Sequence, residues 1–161
     1  MSFNLPTETI ELPSKGWLYP EGHPLSSGTI EIKYMTAKEE DILSSKTLIK
    51  QGVALERLLK SIIIDKRIRP SEMLTGDRNA ILIASRITGY GPEYNTKISC
   101  PSCMQTGDYE YDLSEVVAEP IQDDEEVTWT EENTMLINLP LTKIEVEVKL
   151  LTGKEEMHLA R

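Results

Sequence analysis

Histidine and cysteine are almost missing: two of each occur in 161 residues, beside a single phenylalanine. With His23 and His158 as the only imidazoles, a histidine-based nucleophile relay has almost no candidates. Two cysteines do not make a disulfide scaffold, which points to a reducing setting. Long apolar runs are missing too. The longest are Ile62-Ile63-Ile64 and Ala80 to Ala84, far short of the roughly 20 residues that a membrane-spanning helix needs. The N-terminus, Met-Ser-Phe-Asn-Leu-Pro, has neither the basic nor the apolar region of a secretory signal. No glycine-rich phosphate loop is present. Gly89-Tyr90-Gly91-Pro92 places a proline where a helix amide is needed. No catalytic set is left, and an enzyme is not expected.

What is present is acid. The net charge is −10, and residues 108–132 hold eleven acids with no Lys or Arg, among them Asp123, Asp124, Glu125 and Glu126. The remainder is near neutral, with 16 acids against 17 bases. Such a chain is repelled by phosphate backbones, so nucleic acid is not expected as a partner, and no membrane is expected either. The acidic segment reads as a solvated loop or as a docking strip for a basic partner. Trp129 lies between Glu125-Glu126 and Glu131-Glu132 and is a candidate interface anchor. Trp17, Tyr19 and Tyr34 are expected to pack on the core, and His23 to be exposed in its loop.

Hydrophobic patterning predicts an α+β fold: an N-terminal β segment, a three-helix central unit, and C-terminal antiparallel strands with a CxxC knuckle hairpin. The divisions fall at 1–35, 36–91, 92–151 and 152–161. Ile30, Ile32 and Tyr34 alternate with Glu31 and Lys33 as in a half-buried strand. Thr36-Ala37-Lys38-Glu39 fits a capping box, opening a helix that Gly52 stops. Leu55, Leu58, Leu59, Ile62 and Ile63 form the clearest amphipathic stripe. Asp77 caps a third helix from Arg78 to about Thr88, whose nearly all-round apolar surface predicts a place at the centre of the core. Thr96-Ile98-Cys100 and Tyr109-Tyr111-Leu113 predict a hairpin. Met135 to Leu139 and Ile144 to Leu150 predict further strands. The last ten residues, 152–161, carry a second box at Thr152 and Glu155. They read as the start of a truncated or partner-docked helix, with Met157 and Leu159 as its contact residues.

Cys100-Pro101-Ser102-Cys103 is the one motif with metal spacing. A closed structural zinc site needs four ligands, and no second pair follows. The readings are a degenerate knuckle without metal, or a zinc site completed by distant residues or another chain. Redox chemistry wants the first cysteine at a helix N-terminus, and here a turn and strand follow.

The order of several motifs resembles a known family. Leu12-Pro13-Ser14-Lys15-Gly16-Trp17-Leu18-Tyr19-Pro20 precedes Gly28-Thr29-Ile30-Glu31-Ile32, then Met35 to Leu43, Gly76-Asp77-Arg78, Arg86 to Gly91 with Tyr94, and the Cys100–Cys103 knuckle before Asp112-Leu113. In this order the chain resembles the T4-type bacteriophage baseplate proteins, the small hub or hub-assembly subunits of contractile-tailed phages. The resemblance spans roughly residues 10–155. It implies a non-enzymatic role through contacts with other baseplate and hub proteins, and homo-oligomerisation is an open possibility. It implies a place in the virion tail, or in the host cytoplasm during assembly. A transient assembly chaperone absent from the finished virion, and a zinc-knuckle adaptor, are the alternatives. The resemblance supplies no catalytic residue.

Overall fold

The structure is a computed structural model, and it describes residues 6–116 and 127–159. Its architecture is α+β. Strands β1 (Thr7–Glu11) and β2 (Thr29–Lys33) form an antiparallel pair, with Ile10 opposite Ile30 and Glu8 opposite Ile32. Four helices follow: α1 (Ala37–Ser44), α2 (Lys46–Lys50), α3 (Ala54–Ile62) and α4 (Thr75–Tyr90). A β-ribbon of β3 (Glu93–Ser99) and β4 (Thr106–Asp112) comes next. A three-stranded antiparallel sheet is built from β5 (Val127–Trp129), β6 (Met135–Asn138) and β7 (Glu145–Val148). Helix α5 (Gly153–Leu159) closes the described chain.

The core sits where the first hairpin meets the helices. Ile30 and Ile32, on one face of β2, pack with Leu58, Leu59, Ile62 and Ile63 of the α3 stripe. Ile68, Met73 and Ile81 extend this cluster toward α4. Burying a side chain of this size is worth about 1.5–3 kcal/mol. Leu55, the first residue of the predicted stripe, lies in the first turn of α3 and is half exposed.

The loop between β1 and β2 is held by its own backbone. The Leu12 amide donates to the Gly28 carbonyl at 2.8 Å. Gly16 (φ +80°) and Gly28 (φ +74°) sit back to back: a Cβ on Gly16 would lie 2.6 Å from the Gly28 nitrogen. Only glycine meets both demands, positive φ and close backbone approach.

Three helical expectations need correction. The helix predicted from Thr36 to Gly52 is broken at Ser45, whose extended backbone ends α1 and whose hydroxyl accepts from the Leu48 amide at 3.5 Å to start α2. Asp77 does not cap a helix beginning at Arg78. The helix starts at Thr75, and Asp77 is buried inside its first turn. Nor is α4 central on all sides. It buries Asp77, Arg78, Ile81 and Ser85, while Ala80, Ile83, Ala84 and Ile87 line a surface groove.

Candidate functional site

The groove is built from four segments, one of them Ser27, Gly28 and Thr29 at the start of β2. Ala80, Ile83, Ala84 and Ile87 fall at i, i+3, i+4 and i+7 on α4 and so share one face, which forms its floor. One wall is Ile10, Leu12 and Pro13 from β1 and the turn after it; the other includes Leu113 and Val116 beyond β4. The volume is about 770 Å³. Glu11, Lys15 and Asn79 stand among the polar lining residues. An aliphatic floor with polar groups around it is the anatomy of a protein interface.

Two buried carboxylates brace the fold, and the first of them holds the groove in shape. Asp77, 1% exposed, accepts from the Ser14 amide at 3.0 Å, the Ser14 hydroxyl at 2.7 Å and the Tyr19 hydroxyl at 2.7 Å. Its place in the first turn of α4 adds the favourable end of the helix dipole. The Tyr19 hydroxyl also accepts from the Leu74 amide at 3.1 Å. Burial and the Asp77 carboxylate push its pKa well above the ordinary tyrosine value. Tyr19 stacks on His23 as well, with ring centroids 5.2 Å apart. Asp77 thus ties the groove wall at Leu12–Lys15 to the helix that forms its floor.

The second carboxylate is Glu39, fully buried. The capping box forms as expected: Glu39 accepts from the Thr36 amide at 2.9 Å and the Thr36 hydroxyl at 2.6 Å. It also accepts from Lys33 Nζ at 2.8 Å and Ser61 Oγ at 2.5 Å. Burial raises its pKa, but the hydrogen bonds from Lys33, Ser61 and Thr36 outweigh burial and bring it down to about 2. One residue thereby joins β2, α1 and α3.

The Cys100–Cys103 motif lies between β3 and β4, at the end of the ribbon. The Cys100 amide donates to the Gln105 carbonyl and the Met104 amide to the Cys100 carbonyl, both at 2.9 Å. The Cys103 and Ser102 amides and the Cys103 thiol lower the Cys100 pKa. Among the described residues, no third His, Cys, Asp or Glu joins the pair. The ribbon carries a feature that periodicity alone misses. Tyr94 and Tyr111 sit opposite each other, and they are exposed, as is Tyr109. Alternation marks the two runs as strands but does not report whether a partner layer exists, and in the structure both faces are largely open.

Trp129 is half-buried. It meets Trp17 edge to face, with centroids 5.0 Å apart and planes at 86°. Trp17 does not pack on the core as expected: it is 44% exposed, and Tyr34 is also exposed. Asp123, Asp124, Glu125 and Glu126 lie outside the described residues. Met157 is half-buried on α5, and Leu159 is 72% exposed. Helix α5 packs on its own chain. The Gly153 amide donates to the Met73 carbonyl at 3.0 Å, and the Arg78 guanidinium donates to Glu156 at 2.8 Å. Its capping box also forms, with Lys149 and Thr152 holding the Glu155 carboxyl at a pKa of about 2.

Among the described residues no helix is long and apolar enough to cross a membrane. No curated protein and no solved structure matches the chain. A family model does, over residues 7–160, a span that includes the groove, the ribbon and both capping boxes. The chain belongs to the family described as T4 bacteriophage base plate protein.

Proposed function

We propose that the chain is a non-enzymatic subunit of the phage baseplate, placed at or near its hub, that works by docking other baseplate proteins. The observation that carries this is the aliphatic floor of the α4 groove. A row of Ala80, Ile83, Ala84 and Ile87, each partly buried and left uncovered by the described residues, suits an apolar ridge on a neighbouring baseplate protein, which family membership supplies as the partner class. Among the described residues, the only titratable groups lining the groove are Glu11 and Lys15. No nucleophile–base pair stands beside them, which supports a binding role over catalysis. The exposed tyrosines of the ribbon supply a second contact element, because tyrosine is enriched among residues that dominate interface energetics. The acidic segment with Trp129, and α5 with Met157 and Leu159, are further contact candidates.

Ile83→Glu tests the reading. A charge in the groove is expected to prevent incorporation into baseplates, and because Ile83 is partly buried it is also expected to lower folding stability by about 0.5–3 kcal/mol. Incorporation is read from purified particles and stability from urea melts. Finding the chain in subassemblies but never in finished tails would replace the resident subunit with an assembly chaperone.

The thiol pair favours a second reading, a zinc-dependent adaptor. Two thiols on one tight turn make half of a tetrahedral site. A closed site then needs two ligands from elsewhere. The expected result of elemental analysis on the purified chain is no stoichiometric zinc; zinc at one ion per chain or per two chains would establish the adaptor.

A further inference from the structure

The end of the ribbon holds two thiols in one tight turn. Residues 101–103 form that turn between β3 and β4. It is closed by the Met104 amide, which donates to the Cys100 carbonyl, and by the Cys100 amide, which donates to the Gln105 carbonyl, both at 2.9 Å. Met104, at φ +61°, leads the chain back toward β4. At the base of the turn the Ser99 and Thr106 hydroxyls share a hydrogen bond of 3.0 Å. Cys100 and Cys103 are thereby three positions apart across a closed turn. Such a turn keeps its outer Cα atoms less than about 7 Å apart, and a disulfide spans roughly 4.4–6.8 Å between Cα atoms. Both cysteines are free; Cys103 is exposed and Cys100 partly so. Among the described residues no third metal-ligating group joins them. The pair is therefore reachable from solvent and placed for a bond between its own sulfurs.

We propose that Cys100 and Cys103 are a modification site, a reversible disulfide closed across the ribbon tip by a low-molecular-weight disulfide such as oxidised glutathione. One cysteine gives its proton to water, and its thiolate attacks the small disulfide. A mixed disulfide forms and one small thiolate leaves. The other cysteine, likewise deprotonated, attacks the protein sulfur of that mixed disulfide and expels the second small thiolate. The two protein thiols lose two electrons in all. The small disulfide gains them and becomes two thiols, which take up the two protons. A helix N-terminus, which tunes catalytic redox cysteines, is not required, because the site has only to hold two accessible sulfurs together. Closing so short a loop removes little chain entropy, and exposed disulfides are the labile, regulatory ones. The setting rests on the reading of the chain as a resident baseplate subunit: a particle assembled in a reducing cell and released from it carries the pair between two redox settings. The thiol chemistry itself depends neither on the groove nor on the zinc reading.

The test uses the full chain with a chelator present, so that zinc plays no part. The chain is exposed to excess oxidised glutathione in buffer and in urea, then acid-quenched, alkylated and weighed intact by mass spectrometry. In buffer, wild type is expected to lose both alkylatable thiols, to become lighter by two hydrogens and to remain a single chain; dithiothreitol is expected to reverse this. The step from glutathione adduct to closed disulfide is expected to be about tenfold or more faster in buffer than in urea, since the folded turn supplies the sulfurs already close together. Cys100→Ser and Cys103→Ser are expected to stop at the adduct. A wild-type chain that keeps both thiols in buffer, stops at the adduct or forms disulfides between chains would overturn the proposal. Closure as fast in urea as in buffer would overturn it too, because the turn would then contribute nothing.

Discussion

Replacing Asp77 by alanine is expected to cost about 4 kcal/mol of folding stability, more than the loss of any other single side chain in the network around the groove. The carboxylate accepts three hydrogen bonds from Ser14 and Tyr19 at 2.7–3.0 Å and is almost fully buried. Removing it leaves the Ser14 amide and two hydroxyls without their acceptor away from water. Each unsatisfied buried group costs about 1–3 kcal/mol. Asp77→Asn keeps the shape but turns one acceptor into a donor that faces other donors, so about 2 kcal/mol is expected. Urea denaturation reads both values. A loss below about 1 kcal/mol for the alanine variant would show that water or rearrangement replaces the network. The effect is expected to reach function, because Asp77 fixes the Leu12–Lys15 wall to α4. Asp77→Asn is therefore expected to weaken partner docking through a misplaced wall even where the chain stays folded.

The second large effect concerns Glu39 and carries a pH signature. Its carboxyl is held at about 2, against an ordinary 4.5. The unfolded chain binds that proton more tightly than the folded one. The associated stability is therefore fully present above about pH 5 and is lost as the pH falls from about 4.5 toward 2. A shift of this size corresponds to about 3 kcal/mol. Denaturant melts between about pH 6 and 2 are expected to show the decline in wild type and a shallower one in Glu39→Gln, which has no proton to take up. Equal slopes in the two proteins would contradict the assignment. At neutral pH Glu39→Gln is expected to be less stable by about 2–3 kcal/mol, since the Lys33 ammonium loses its counter-charge.

These two carboxylates also mark what the sequence reveals and what it hides. Glu39 is legible because its main partner is local: Thr36 lies three residues away, and the box pattern is a short-range rule. Its bond to Ser61 on α3 is not, since nothing in the pattern pairs positions 22 apart. Asp77 shows the opposite case. An acid before an apolar run looks like a helix cap, but its partners are Ser14 and Tyr19, 63 and 58 residues away, and the helix begins two residues earlier. The α3 stripe is readable because one face is apolar and the other polar. Helix α4 is misplaced by its pattern because it is apolar nearly all round, and such a helix does not state which face its neighbours cover. Among the described residues, its groove exists because the β1 segment and Leu113 to Val116 flank the Ile83–Ile87 face without closing over it. The ribbon is legible as strands through its alternation and illegible as an open arm. The knuckle is legible as a tight turn bearing two thiols.

A chain that acts by presenting surfaces to other baseplate proteins, with the α4 groove foremost, should fail in assembly when that groove is charged. Mass spectrometry of baseplates purified from particles assembled with either wild-type or Ile83→Glu chain measures this without intermediaries. The chain is expected at fixed stoichiometry in wild-type assemblies. The variant is expected to be absent, or the baseplates not to form, although the variant alone remains folded. Normal baseplates containing the folded variant at the wild-type amount would contradict a docking role for the groove.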